Sequence, residues 1–210
     1  MTNDDLSKFV DTSDEWIQQR TGVKERRFSH VNTSDMAEIA GKHAIACAGL
    51  NPEDIDVVIL ATCTPDSIVP SAAAHVQKKI GAINASVYDV NAACAGFLYA
   101  LEQGKAFVES NLYKRALVIG AEHITWLLDW SDRNTAVLFG DGAGAVVLTR
   151  KWIDPHLPKQ GILSTHLYSD GKYAKELAVV GPSPRHGIGN NNHWIKSVQN
   201  KPDETFYFPY

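Results

Sequence analysis

The sequence predicts an α/β fold whose sheet is mixed but mostly parallel. Aliphatic and β-branched runs alternate with segments of helical periodicity, a pattern typical of parallel strands connected by helices. The run DVVILAT at residues 56–62 is continuous, which suits a strand that is covered on both faces. Residues 135–139 and 144–148 flank the glycine-rich segment GDGAG, and we expect them to form an antiparallel hairpin in the same sheet.

The first predicted helix covers residues 14–20. Ser13 or Thr12 can cap its start, acidic residues fill its first turn, and Gly22 follows its end. The other elements follow from the same alternation of patterns. Further helices are predicted at residues 34–48, 71–80 and 94–109, and further strands at 86–90, 115–120 and, as an additional candidate, 161–166.

The last part of the chain differs in composition. Residues 181–210 contain Gly-Pro and Ser-Pro pairs, three consecutive asparagines and two further prolines, with little periodic apolar pattern. The chain ends in FYFPY, an aromatic run with no following segment to pack against. Two interpretations are open at this point: a truncated chain, or an end that packs against a partner.

Composition and charge exclude several classes of function. The formal net charge is −4, which gives no general affinity for nucleic acid or for an anionic membrane. No apolar run approaches the ~18 residues of a membrane helix. Cys47, Cys63 and Cys94 are odd in number and lack the spacing of metal ligands. They predict free thiols, a reducing and therefore cytoplasmic location, and no metal site.

Cys94 lies in the stretch VYDVNAACAGFLYAL, where a strand pattern gives way to a helix pattern. Cysteine is often a small packing residue, and that is our interpretation of Cys47 and Cys63. At Cys94 a nucleophile is also possible, because open α/β sheets place their sites at the carboxyl ends of strands. A helix start also stabilises a thiolate, and the neighbouring alanines and Gly96 leave room for a ligand.

Two other motifs have a structural and a functional interpretation. GDGAG lacks the Gly-Lys-Ser/Thr ending of a phosphate loop, so we interpret it as a tight turn in which Asp141 can bond backbone groups. Trp16 and Arg20 are four residues apart and share a helix face, so they could hold a nucleotide by stacking and by a cationic fork. From the pattern alone, a packed Trp16 beside an exposed Arg20 is the simpler interpretation.

Taken together, four stretches resemble β-ketoacyl-acyl carrier protein synthase III, a family of the thiolase superfamily. They are VDTSDEWIQQRTGVKERRF, DVNAACAGFLYAL, SDRNTAVLFGDGAGAVVL and GILSTHLYSDG, and they occur in the order of the family. The resemblance covers roughly residues 8–175 and implies the N-terminal portion of a longer family member.

The resemblance implies a thiolase-like layered α/β/α architecture, the N-terminal half of a five-layer αβαβα fold. Residues 1–150 would form that half with its nucleophile, and residues 151–210 would begin an incomplete second half. The family's first strand, expected near the middle of the sheet, has no counterpart in the sequence. We therefore expect a gap in strand pairing there.

The resemblance also implies roles for particular residues. Cys94 matches the nucleophile that takes an acyl group from acyl-CoA, usually acetyl-CoA. Four positions match contacts to CoA: Thr12, Trp16, Arg20 and Arg133. Val69 matches a residue that shapes the acyl pocket across a dimer. None of the eight histidines lies in the family's histidine motif, so we assign no catalytic histidine or asparagine.

The implied function is an acyltransferase of fatty-acid or polyketide biosynthesis. It would condense acyl-CoA with malonyl-acyl carrier protein, through a Cys94 thioester, to 3-oxoacyl-acyl carrier protein. The implied partners are acyl-CoA as substrate without a separate cofactor, an acyl carrier protein, and a second copy of the chain. Two alternatives are open: a non-catalytic fragment or subunit that needs a partner chain, and a hydroxymethylglutaryl-CoA synthase-like enzyme or secondary-metabolite ketosynthase.

Overall fold

A computed structural model describes residues 1–150, 156, 160–174 and 176–179 of the chain. The helices are α1 (Asn3–Leu6), α2 (Asp14–Thr21), α3 (Thr33–Cys47), α4 (Ala72–Ile80), α5 (Gly96–Glu109) and α6 (Arg133–Ala136). The strands are β1 (Val57–Ala61), β2 (Ser86–Val90), β3 (Arg115–Glu122) and β4 (Gly142–Thr149). Residues 181–210, with the terminal FYFPY, lie outside the described part.

Local signals place the first long helix where the sequence predicts it. The Ser13 side chain accepts a hydrogen bond of 3.1 Å from the Trp16 N–H and so caps α2. Gly22 ends the helix in a left-handed conformation with φ of 71°. The start of α2 is thereby fixed, and with it the face that carries Trp16 and Arg20.

The four strands form one sheet in the order β2-β1-β3-β4. Strand β1 pairs in parallel with both β2 and β3, and β4 runs antiparallel to β3. All five residues of β1 are buried, as expected for a strand that has neighbours on both sides and helices on both faces. The prediction of a mixed, mostly parallel sheet is confirmed.

The two faces of the sheet are covered by different helices. Ile45 of α3 and Val76 of α4 pack with Leu60 on one face. On the other face Ala100 of α5 packs with Ile59. The carboxyl ends of β1, β2 and β3 consequently lie along one edge of the core, which is where parallel sheets carry their sites.

A glycine brings α5 close to the sheet. A Cβ atom at Gly104 would lie 2.9 Å from the Val118 Cγ2 atom, closer than real Cβ contacts, and 3.0 Å from the Leu148 Cδ1 atom, which is a tight contact. The absence of a side chain at Gly104 therefore sets the spacing between α5 and the sheet. That spacing also sets the position of the turn that leads into α5.

The predicted hairpin is wrong. Residues 135–139 are not a strand, because Asp132 caps a helical turn by accepting a hydrogen bond from the Asn134 N–H at 2.9 Å. Val137 is then buried in a cluster with Leu6 and Ile17 rather than in the sheet. Tertiary packing overrides the strand propensity of this run. The antiparallel pair that makes the sheet mixed is β3 with β4.

Two further expectations from the sequence are also corrected. Residues 161–166 form no strand, since their side chains are mostly exposed and have no apolar face to bury. The expected gap in the middle of the sheet is not present in the described residues, because β1 and β3 pair directly from Val57 with Ala116 to Ala61 with Gly120. In the part of the chain that the structure describes, no helix has the length and apolarity to cross a membrane.

Candidate active site

Cys94 lies in a short 3₁₀ turn, Ala93–Ala95, between the end of β2 and the start of α5. The predicted helix start at Cys94 is therefore two residues early, because α5 begins at Gly96. Ala93 adopts φ of 46°, a left-handed conformation that costs a residue with a side chain about 1 kcal/mol. This sharp turn presents an exposed Cys94 thiol beside the N-terminal end of α5.

A cavity of about 260 Å³ opens beside Cys94. Its walls come from the ends of β1 and β3, the start of β4, and the side chain of Phe97 on α5. Most wall residues are glycine or alanine, among them Gly120, Gly142 and Gly144. The cavity therefore has room for a small acyl group, and its shape depends on backbone rather than on long side chains.

Glu122, at the end of β3, brings a carboxylate into the same cavity. Its two oxygens accept hydrogen bonds from Cys63, one from the backbone N–H at 2.6 Å and one from the Sγ atom at 2.6 Å. Burial of the thiol, reinforced by the bond to Glu122, raises the pKa of Cys63 to about 12. Cys63 is therefore a protonated thiol that is hydrogen-bonded to Glu122, and not merely an apolar packing residue.

A separate cationic cluster surrounds Trp16, and we call Trp16, Arg20 and Arg133 the Trp16 cluster. The guanidinium carbon of Arg20 lies 4.2 Å from the centroid of the indole ring, and that of Arg133 lies 5.0 Å from it. Arg133 also donates a hydrogen bond of 3.1 Å to the Asp11 carbonyl oxygen. Helix α6 is thus tied to the segment that leads into α2, and two cations converge on one half-buried aromatic ring, which also packs against the cluster of Leu6 and Ile17.

Thr12 lies beside this contact, directly before the cap of α2. Its Oγ1 atom is buried and has no hydrogen-bond partner among the described residues. A buried hydroxyl without a partner is uncommon in native proteins. Thr12 directly follows Asp11, whose carbonyl oxygen accepts the hydrogen bond from Arg133, so it is a chain neighbour of the Trp16 cluster.

The remaining predicted residues lie elsewhere. Val69 is 82% exposed in the loop before α4 and does not line the Cys94 cavity. The Trp16 cluster does not line the cavity either. A larger cavity of about 520 Å³ lies near the N-terminus between aromatic side chains such as Phe9 and Phe28, and it contains none of the predicted site residues.

Three residues were missed or misassigned from the sequence. Asp141 does not bond its own turn: its buried carboxylate accepts hydrogen bonds from the Ser29 N–H at 2.7 Å and from the Thr125 N–H at 3.0 Å. Glu122 received no prediction, although a charged residue at the carboxyl end of a buried parallel strand is a usable signal. Cys47 was interpreted as a packing residue, but it is exposed at the end of α3.

In the described residues, no three or more histidine, cysteine, aspartate or glutamate side chains are arranged to hold a metal ion.

The comparisons with known proteins agree on one family. The model of the family 3-oxoacyl-[acyl-carrier-protein (ACP)] synthase III matches residues 88–171. The chain is 58% identical over 196 residues to beta-ketoacyl-[acyl-carrier-protein] synthase III 2 of Vibrio cholerae, covering 92% of this chain and 53% of that protein. It is 49% identical over 179 residues to beta-ketoacyl-[acyl-carrier-protein] synthase III of Geobacillus kaustophilus, covering 84% and 56%.

Solved structures show the same relationship at the level of the fold. The crystal structure of beta-ketoacyl-[acyl carrier protein] synthase III from Thermus thermophilus superimposes with a TM-score of 0.80 at 44% identity, covering 88% of this chain and 56% of that one. The priming beta-ketosynthase of the R1128 polyketide pathway superimposes with a TM-score of 0.70 at 35% identity, covering 72% and 46%. The layered thiolase-like α/β architecture is thereby confirmed, and the chain spans about half the length of the relatives it matches.

Proposed function

The chain belongs to the 3-oxoacyl-[acyl-carrier-protein] synthase III family, and from that premise we propose that Cys94 takes an acyl group from acyl-CoA as a thioester. The observation that carries the proposal is the exposed Cys94 on a sharp turn, at the N-terminal end of α5 and in the wall of a small cavity. Short acyl groups, acetyl above all, fit a cavity of about 260 Å³.

The proposed step is a transfer between two thioesters. The Cys94 thiolate attacks the carbonyl carbon of acyl-CoA and forms a tetrahedral intermediate. Its collapse breaks the bond between that carbon and the CoA sulfur, and the CoA thiolate leaves and takes up a proton. The Cys94 backbone N–H is our candidate donor to the oxyanion, because it belongs to the turn that presents the sulfur.

We propose the Trp16 cluster, together with Thr12, as the binding surface for the nucleotide end of CoA. An adenine base can stack on the accessible part of the half-buried Trp16 indole, and guanidinium groups suit phosphate oxygens. The two guanidinium groups within 5.0 Å of the ring support this assignment, as does the unpartnered Thr12 hydroxyl. Local cations also offset a net charge of −4 that would otherwise repel an anionic substrate.

For the whole protein we propose the condensation of the acyl-Cys94 thioester with malonyl-acyl carrier protein to give 3-oxoacyl-acyl carrier protein. The names of the relatives support this extension. Residues 1–150 would be the half that carries the nucleophile, and residues 151–210 would open the second half. A second copy of the chain would add Val69 to the acyl pocket, and the 82% exposure of Val69 is compatible with that role. We place this activity in the cytoplasm, where free thiols persist.

A second candidate function is priming in a secondary-metabolite pathway. The likeness to the priming beta-ketosynthase of the R1128 polyketide pathway favours it. Both candidates share acylation of Cys94 and differ in the acyl group and the carrier protein. Acylation rates measured for a series of acyl-CoAs would separate them: the first candidate requires acetyl-CoA to react fastest.

The experiment that tests the proposal is intact-protein mass spectrometry after incubation of the chain with acetyl-CoA. We expect the mass of one acetyl group to be added to the wild type, and none to Cys94→Ser. Cys47→Ser is the matched control, because Cys47 is also exposed, and it should acylate like the wild type. A folded wild type without the adduct, or an adduct that persists in Cys94→Ser, would contradict the proposal.

A further inference from the structure

Two cysteines lie next to one cavity, but their surroundings differ. Cys94 lines the cavity directly and is exposed. Cys63 is half-buried just after β1 and is bonded to Glu122, which lines the same cavity. A site that transfers acyl groups to a thiol has to direct them to one of two neighbouring thiols. The proposed acylation of Cys94 leaves this selection unexplained.

Glu122 holds Cys63 at two points. One carboxylate oxygen accepts the Cys63 N–H at 2.6 Å, and the other accepts the Sγ hydrogen at 2.6 Å. The bonds join the ends of two adjacent parallel strands, β1 and β3, whose pairing fixes the spacing between the two residues. A thiol that donates to a carboxylate must keep its proton, because a thiolate would face a second negative charge.

The electrostatic surroundings of Cys63 also favour its protonated form. Burial raises the pKa of the Cys63 thiol most, and the hydrogen bond and charge of Glu122 raise it further. The neighbouring Cys94 adds to the effect when it is a thiolate. His123 follows Glu122 in the chain, but its Nε2 atom lies 3.8 Å from an Asp141 oxygen, so it is directed to a different carboxylate.

We propose that Glu122 is a positioning residue that holds Cys63 as a protonated thiol, so that acyl groups are transferred to Cys94 alone. The thiolate is the nucleophile in thioester exchange, and a thiol that keeps its proton does not compete. Selection therefore depends on the carboxylate bonded to Cys63 as well as on the exposure of Cys94. The inference rests on the acylation of Cys94 proposed above, but its test does not require acyl-CoA.

The test is the pH profile of alkylation at each cysteine. The full chain is treated with iodoacetamide between about pH 7 and about pH 11, and modification is measured site by site by mass spectrometry. In the wild type the Cys63 rate should still rise about tenfold per pH unit at the top of this range. In Glu122→Gln the Cys63 rate at about pH 8 should increase about tenfold or more, and its profile should begin to level within the range.

Three comparisons make the test decisive. Glu122→Asp keeps the charge and should retain most of the wild-type profile at Cys63. Glu109→Gln makes the same change of charge on an exposed residue of α5 and should leave the profile unaltered. Cys47 is an internal reference whose rate should not respond to either change at residue 122.

Several outcomes would overturn the inference. One is a wild-type Cys63 profile that levels below about pH 9, and this result needs no variant to fold. Another is an unchanged profile in Glu122→Gln. A third is a rise by the same factor at every pH, because that reports looser access and not a changed proton affinity. If acetyl-CoA labels Cys94 in neither protein, the proposed function fails while the alkylation profiles still decide the role of Glu122.

Discussion

The Trp16 cluster and the Cys94 cavity are built in opposite ways. The cluster consists of three long side chains, carried by α2 and α6, that meet around the half-buried indole of Trp16. The cavity is bounded mostly by glycine and alanine, many of them at the ends of strands, and Cys94 is part of its wall. The first region therefore depends on charge and aromatic area, whereas the second depends on space and on backbone position. Substitutions should separate binding from chemistry accordingly.

One segment of chain serves both regions. It begins with Arg133 in the cluster and ends with Gly142 and Gly144 in the cavity wall. Asp141 fixes this segment by accepting hydrogen bonds from Ser29 and Thr125 with a carboxylate whose side chain is 1% exposed. Asp141 therefore anchors the segment of chain that contributes residues to both regions.

The largest effect is expected at Asp141, because its carboxylate holds the segment that the two regions share. Asp141→Asn replaces an acceptor of three hydrogen bonds with a group that also donates, and it leaves buried N–H or hydroxyl groups unpaired. We expect the free energy of unfolding to fall by about 3 kcal/mol, measured by urea unfolding. Asp170→Asn, on an exposed residue, is the control and should stay within about 0.5 kcal/mol of the wild type. Equal stability of Asp141→Asn and Asp170→Asn would show that Asp141 does not hold the segment shared by the two regions.

Trp16→Ala should sharpen the difference between binding and chemistry. Loss of the stacking surface should weaken CoA binding about 30-fold, measured by isothermal titration calorimetry. Alkylation of Cys94 by iodoacetamide should remain at the wild-type rate, because Trp16 does not line the cavity. Trp16→Phe should recover part of the affinity. A slower Cys94 reaction in Trp16→Ala would show that the regions are not separable.

Gly104→Ala probes the second region alone. The added methyl group would lie 2.9 Å from Val118 Cγ2 and 3.0 Å from Leu148 Cδ1, so these side chains or α5 must shift. We expect a loss of about 2 kcal/mol in urea unfolding and a lower rate of Cys94 acylation, with CoA affinity unchanged. Gly171→Ala, where a Cβ meets no atom within 4 Å, should be neutral. A Gly104→Ala protein with wild-type stability would show that the close approach of α5 does not constrain the fold.

The smallest effect concerns the charges of the cluster. Arg133→Gln should weaken CoA binding about fivefold at low salt, and the difference should shrink as ionic strength rises. Arg27→Gln is the matched control, because Arg27 is an exposed arginine outside the cluster and is paired with Glu25. If both variants lost the same affinity, general charge rather than the placement of Arg133 would account for the binding.

Local patterns determine most of what the sequence predicted correctly. The capped start of α2, the run that forms β1 and the four-residue spacing of Trp16 and Arg20 are all short-range signals. The run at residues 135–139 has strand propensity, but Asp132 caps a helical turn and Val137 is buried against Ile17. That outcome depends on packing between segments that are distant in the chain.

The candidate site likewise has features that local sequence patterns predict and features that depend on contacts between distant segments. The turn around Cys94 could be predicted from one stretch of sequence, since the strand and the helix that flank it are both regular. The bond between Cys63 and Glu122 could not, because it requires the pairing of β1 with β3. Arg133 was assigned to the site only through a resemblance to known sequences, because its contact with Trp16 joins residues that are far apart in the chain.

The central claim is that position, and not exposure alone, makes Cys94 the acyl acceptor. The most direct measurement is the distribution of label among Cys47, Cys63 and Cys94 in one sample after incubation with isotopically labelled acetyl-CoA. Cys47 is exposed, like Cys94, but it does not line the cavity. We predict label on Cys94 and none on the other two. Comparable label on Cys47, or label on Cys63 in the wild type, would contradict the claim.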